Sequence, residues 1–176
     1  MAALSVVPDH GWLNYLNFLI AAAYVFILCA AAVSDFRRLR IPNWTSVALF
    51  LLFFAYAALP GKEFNVVHHF SVAVIVFLVG LLLYYMGVFS AGDVKLMAAV
   101  ALWAGPTDIL SLVLITAVVG GLLGIAVIIL RKAPPLILFG RMISLDRVLP
   151  RWAKHGLVPY GIAIVGGALW LIRIRF

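Results

Sequence analysis

Two of the six acidic residues in this 176-residue chain stand where an apolar segment meets polar sequence: Asp35, within SDFRRLRIPN, and Asp93, within SAGDVK. Carboxyl groups that share a site resist ionising together, so one keeps a proton near neutral pH. One can then act as general base toward a water while the other donates to a scissile carbonyl oxygen. That is peptide hydrolysis without metal or cofactor. The residues alone leave two other readings open. Each aspartate caps or flanks its own helix, or the pair relays protons or ions along a membrane pathway. The remaining acids are ordinary. Asp9, Glu63 and Asp108 fall in loops or near helix starts, and Asp146 lies beside Arg147 in a polar interval.

The elements that must position the two aspartates are apolar helices. Hydrophobic residues make up 66% of the chain and charged residues 11%, with a mean hydropathy of +1.20. A soluble domain carries about 25% charged residues, so the solvent here is lipid. Six apolar segments are expected, at about 15–34, 44–59, 66–88, 94–104, 109–130 and 157–174, the fourth short for a bilayer crossing of ~20 residues. They form one transmembrane domain over residues 1–176. Pro134 and Pro135 should stop the fifth segment, and 144–154 has the mixed pattern of a short interfacial helix.

Arg37, Arg38 and Arg40 directly follow the first segment and nothing basic precedes it, which argues against a cleavable signal. The same asymmetry puts the C-terminal end of that segment in the cytoplasm. If each segment crosses, both chain termini are outside and ten of the thirteen Lys and Arg residues are inside. Lys62, Arg173 and Arg175 remain outside. Asp35 and Asp93 then share one depth, at the inner membrane edge.

These motifs resemble the type IV prepilin peptidases, polytopic aspartic proteases of the bacterial inner membrane with a Gly-x-Gly-Asp type of active site. The pattern is carried by Asp35 with Ile41, Pro42 and Asn43, by Gly92, Asp93 and Lys95, and by VPYGIAI at 158–164. The first glycine of Gly-x-Gly-Asp is Ser90 here, and a left-handed backbone would be disfavoured at a serine. The resemblance implies an all-α bundle of about six transmembrane helices that cleaves prepilin or pseudopilin precursors after the leader glycine, at the cytoplasmic face. It implies catalysis by Asp35 and Asp93 with no cofactor. The compact chain, without the inserted cysteine-bearing domain of longer relatives, resembles the short members serving tight-adherence (Flp-type) pili. No methyltransferase activity is expected. The competing functions are a small proton- or ion-coupled transporter and a non-catalytic scaffold of a pilus or secretion machine.

The supporting residues are expected to act locally. Gly92 lets the chain turn closely into the fourth helix, placing Asp93 near a helix N-terminus, where the dipole favours negative charge. Asp35 follows a helix C-terminus, which would make Asp93 the readier base, unless Arg37 and Arg38 reverse the order. Lys95 biases Asp93, contacts substrate, or snorkels to a lipid phosphate. Pro42 fits the first turn of the second helix and Asn43 caps it. Pro159, Tyr160 and Gly161 line the site, with Tyr160 equally suited to an interfacial anchor.

Elsewhere the chemistry is bland. Cys29 is single, which excludes an intrachain disulfide and a multi-thiolate zinc site. His68 and His69 lie at the outer end, away from the aspartates. Gly120 and Gly124 form a Gly-x-x-x-Gly spacing suited to helix packing, within one chain or in a homo-oligomer. Basic residues punctuate the spans instead of forming a stripe with aromatics, so no nucleic-acid partner is expected.

Overall fold

The structure, a computed structural model, describes residues 11–62, 64–132, 136–138, 141–143 and 158–172. Asp9, Glu63, Asp146, Arg173, Arg175 and the expected interfacial helix at 144–154 lie outside them. Five α-helices are described: α1 (Gly11–Arg38), α2 (Asn43–Ala57), α3 (Val66–Tyr85), α4 (Ala91–Lys132) and α5 (Tyr160–Trp170). Three of them, α1, α3 and α4, are long and apolar enough to cross a membrane, while α2 and α5 are shorter apolar helices. A two-stranded antiparallel ribbon, β1 (Leu136–Leu138) with β2 (Arg141–Ile143), was not expected.

The expected fourth and fifth segments are one helix with a break. At Gly105 the backbone takes φ 64° and ψ −170°, with Pro106 next. Glycine adopts positive φ without steric cost, and proline ends the hydrogen-bonding of the turn before it. The first half of α4 runs antiparallel to α3. Val94 packs on Gly80 at one end, and at the other the Leu102 carbonyl accepts from His69 Nδ1 of α3 at 2.8 Å. Beyond Gly105 the chain returns. Leu112 and Thr116 pack on Gly167, Val119 on Gly166, and Gly120 on Tyr160 and Ala163. The start of α4 and the start of α5 therefore share one end of the bundle. α1 delivers Asp35 to the same end, because Tyr24 donates to the Ala168 carbonyl (3.4 Å) at the other.

Lipid offers the helices no hydrophobic incentive to associate, so close packing must hold them. Glycines supply it where α3 meets α4 and α4 meets α5, as the contacts above show. The core is led by Leu28, Leu49, Leu96, Leu102, Trp103 and Ile164, all fully buried. Trp103 donates its indole N–H to the Leu49 carbonyl at 3.0 Å and packs on Tyr24 with centroids 4.7 Å apart. Outward faces carry large apolar side chains such as Phe18, Phe26, Leu78 and Ile125, the pattern of helices solvated by lipid.

Candidate active site

Asp35 sits in the last turn of α1 and is buried. The helix runs past it to Arg38 and ends where Leu39 takes a left-handed conformation (φ 50°) and donates its N–H to the Asp35 carbonyl oxygen at 2.8 Å. A non-glycine residue costs roughly 1–2 kcal/mol in that region. The turn aims the chain so that Ile41 is buried and Pro42 opens α2.

The Asp35 carboxylate crosses to another helix. Its Oδ2 accepts the backbone N–H of Gly161 at 2.8 Å. Gly161 lies in the first turn of α5, where N–H groups lack an intrahelical partner, a place built for an anion. Any side chain at Gly161 would collide, since a Cβ there would lie 2.7 Å from Asp35 Oδ2 and 2.9 Å from Ile41 Cδ1.

Asp93 is equally buried and belongs to the first turn of α4. Its Oδ2 accepts the Ser90 N–H at 2.9 Å, while Ser90 Oγ accepts the Asp93 N–H at 3.3 Å. This is a reciprocal cap, which satisfies two otherwise orphaned donors. Ser90 is thus compatible with the turn and uses its hydroxyl in it; its backbone is not left-handed.

Ile41 sits between the starts of α4 and α5. A Cβ at Gly92 would come within 3.1 Å of Ile41 Cβ. Gly92 is therefore needed for close approach, not for the turn expected of it; the positive φ before α4 falls at Gly87. Ile41 touches Gly92 on one side and Gly161 on the other. Ile41 thus joins the start of α4, where Asp93 stands, to Gly161, whose N–H holds Asp35.

The expected contrast of dipoles between the aspartates is absent, because each carboxylate faces the N-terminus of a helix. Arg37 and Arg38 are exposed, and among the described residues neither aspartate has an ion-pair partner. Lys95 is turned away as well. Its Nζ donates to Asn43 Oδ1 at 3.0 Å, two residues or about 200° around the helix from Asp93. Asn43 is the first residue of α2 and makes no capping bond; Pro42 holds the cap position and its carbonyl accepts from Thr45 Oγ1 at 2.7 Å.

Pro159 is buried at the cap of α5, and the Tyr160 ring packs on Phe89 with centroids 5.6 Å apart. Of the expected site residues, Asp35, Gly92, Asp93, Pro159, Tyr160 and Gly161 come together. Asn43 and Lys95 form a separate pair on the outer face of α4. Ile41 and Ser90 were visible as motif positions only, and their packing and capping roles were missed. The Ser-x-x-Asp spacing ahead of an apolar run was the available signal for Ser90.

His68 and His69 belong to the opposite end, where the His69 ring fills the space a side chain at Gly105 would need. Among the described residues, no three His, Cys, Asp or Glu side chains group so as to hold a metal ion.

Residues 12–125 match the type IV leader peptidase family, and that region includes both aspartates and the Ile41–Asn43 turn. The chain belongs to this family of peptidases. Neither a curated protein nor a solved structure matches it. Membership of the type IV leader peptidase family makes it a peptidase, and its long apolar helices make it an all-α membrane protein. The 158–164 motif lies beyond the matched region, yet its Gly161 supplies the N–H that holds Asp35.

Proposed function

We propose that this leader peptidase is an aspartic endopeptidase in which Asp35 and Asp93 share a water and cut prepilin or pseudopilin precursors after the leader glycine. The observation that carries the reading is the convergence of two buried carboxyls at one end of the bundle, on either side of Ile41. One takes a proton from the attacking water while the other, protonated, donates to the carbonyl oxygen of the scissile bond. The pair titrates as a unit, so acid and base roles belong to the dyad.

In this reading the chain crosses the inner membrane six times. Each half of α4 counts as one crossing, the termini are periplasmic, and the Gly-x-Gly-Asp architecture is represented by Ser90–Asp93. The site opens to cytoplasmic water, in keeping with the basic residues that follow Asp35. The substrate is the Flp type of precursor, a short basic leader followed by an apolar helix. Removal of the leader is the whole reaction, without methylation of the new N-terminus.

Co-expression with an Flp-type precursor tests it. The wild type should remove the leader, and Asp35→Ala or Asp93→Ala at equal protein level should leave it attached. Normal processing by both variants would overturn the dyad and favour a scaffold. Proton flux in proteoliposomes, abolished by the same substitutions, would favour a transporter.

A further inference from the structure

On the face of α4 turned away from Asp93, α2 and α3 enclose a groove of ≈ 510 Å³. Ala98 and Ala99 line it from α4, Phe50 from α2 and Phe77 from α3. Among the described residues, Lys95 is the one charged side chain lining it, and Asn43 stands beside it. An ammonium has three donors. The Asn43 bond uses one of them at 3.0 Å, leaving two to face an anion. No carboxylate among the described residues lines the groove. Asn43 and Lys95 belong to the end of the bundle that carries the aspartates, Ser46 lies one turn further along α2, and the rest of the described lining is apolar.

We propose that this groove binds one phospholipid of net negative headgroup, its phosphate at Lys95 and Asn43 and an acyl chain along Ala98 and Ala99. The cation and the apolar channel match the two halves of such a lipid. A zwitterionic lipid brings its own cation, which competes with Lys95 for the phosphate, so the groove discriminates by charge. The precursor's scissile segment is a poorer occupant, because Lys95 lies about 200° around α4 from Asp93. A second cavity of ≈ 530 Å³ lies on the aspartate side, lined by Met97, one turn after Asp93, and by Phe89 and Tyr160. A bound anionic headgroup would also offset the positive charge that Arg37, Arg38 and Arg40 present to a basic leader.

The test uses the full chain in nanodiscs of mixed phosphatidylglycerol and phosphatidylcholine, with retained lipid read by native mass spectrometry after transfer to detergent. Wild type should retain one phosphatidylglycerol, enriched about fivefold over phosphatidylcholine, as expected for one lysine at an anionic surface. Lys95→Met should bring the two lipids to parity. Ala98→Phe should abolish retention by filling the channel, and Val47→Trp, at an exposed wall position, does the same without touching the packed side of α4. Enrichment that survives Lys95→Met overturns the proposal. So does retention unaffected by both channel-filling variants, which would mark surface adsorption. A photo-crosslinker at position 98 that captures a co-expressed precursor and no lipid would also overturn it, giving the groove to substrate. None of these readouts depends on peptidase activity.

Discussion

Asp35 Oδ2 and the backbone N–H of Gly161 are 2.8 Å apart across 126 positions of sequence. The bond ties the last turn of α1 to the first turn of α5 and makes one helix's N-terminus the anchor of the other's carboxylate. Asp93 is held differently, by its own cap at Ser90. The two aspartates are buried to the same degree, one by a tertiary bond and one by a local bond.

An isosteric change separates chemistry from packing. Asn can still accept the Gly161 or Ser90 N–H, so Asp35→Asn and Asp93→Asn should keep the fold. Each should slow leader removal by about 10²–10⁴, the usual worth of a general acid or base. Initial rates on a purified precursor, with matched melting curves, provide the check. Wild-type rates in either variant would remove that aspartate from the mechanism.

Gly161→Ala places a methyl 2.7 Å from Asp35 Oδ2 and 2.9 Å from Ile41 Cδ1. Overpacking of this kind costs about 1–3 kcal/mol. The carboxylate must shift, so cleavage should fall more than stability does. Adding Ile41→Val removes the Cδ1 clash and should recover part of the stability but not the rate. Recovery of both would assign the whole defect to Ile41.

Ile41 alone should behave as a spacer. Ile41→Val is expected to cost about 0.5–1.5 kcal/mol and Ile41→Ala about 2–5 kcal/mol. If Ile41 sets the separation of the aspartates, Ile41→Val should lower kcat with little change in KM, at temperatures where the variant is fully folded. An unchanged kcat would confine Ile41 to stability.

Ser90 lends itself to a graded series. Ser90→Gly keeps the N–H that Asp93 accepts and should cost only a few tenths of a kcal/mol. Ser90→Ala loses the hydroxyl cap at a cost of about 1 kcal/mol. Thermal unfolding in detergent should rank wild type above Gly and Gly above Ala. The reverse order would mean that the hydroxyl does not stabilise the start of α4.

Gly105→Ala tests the break in α4. A Cβ there would enter the His69 ring, and the backbone has φ 64°. Positive φ at a residue with a side chain costs about 1–3 kcal/mol. His69→Ala should relieve the collision but not the backbone strain, so the double variant should melt between Gly105→Ala and wild type. Complete rescue would show the backbone to be unstrained.

Much of the architecture was legible from composition alone. With 66% hydrophobic and 11% charged residues in long apolar windows, lipid-facing helices are the expected elements, because each satisfies its backbone polar groups within the segment. Apolar windows found α1, α2 and α3 but ended α1 at Ser34. The helix in fact carries Asp35 to Arg38 inside it, since hydrogen-bonding continues through charged residues until Leu39 breaks it. The windows at 94–104 and 109–130 became the two halves of α4, and whether a Gly-Pro break reverses a helix depends on what packs there. The short ribbon of 136–138 with 141–143 left no periodic signal over strands of three residues.

By itself the sequence determined the solvent, the helical class and the two acidic residues with unusual placement, because hydropathy and local spacing are properties of neighbouring positions. Only the tertiary structure decided that Asp35 belongs electrostatically to α5, that Ile41 separates Gly92 from Gly161, and that Lys95 turns away toward Asn43. Those relationships join residues far apart in the chain. They depend on which helix faces meet, and in lipid that is settled by close packing of small side chains, a term to which hydropathy is blind.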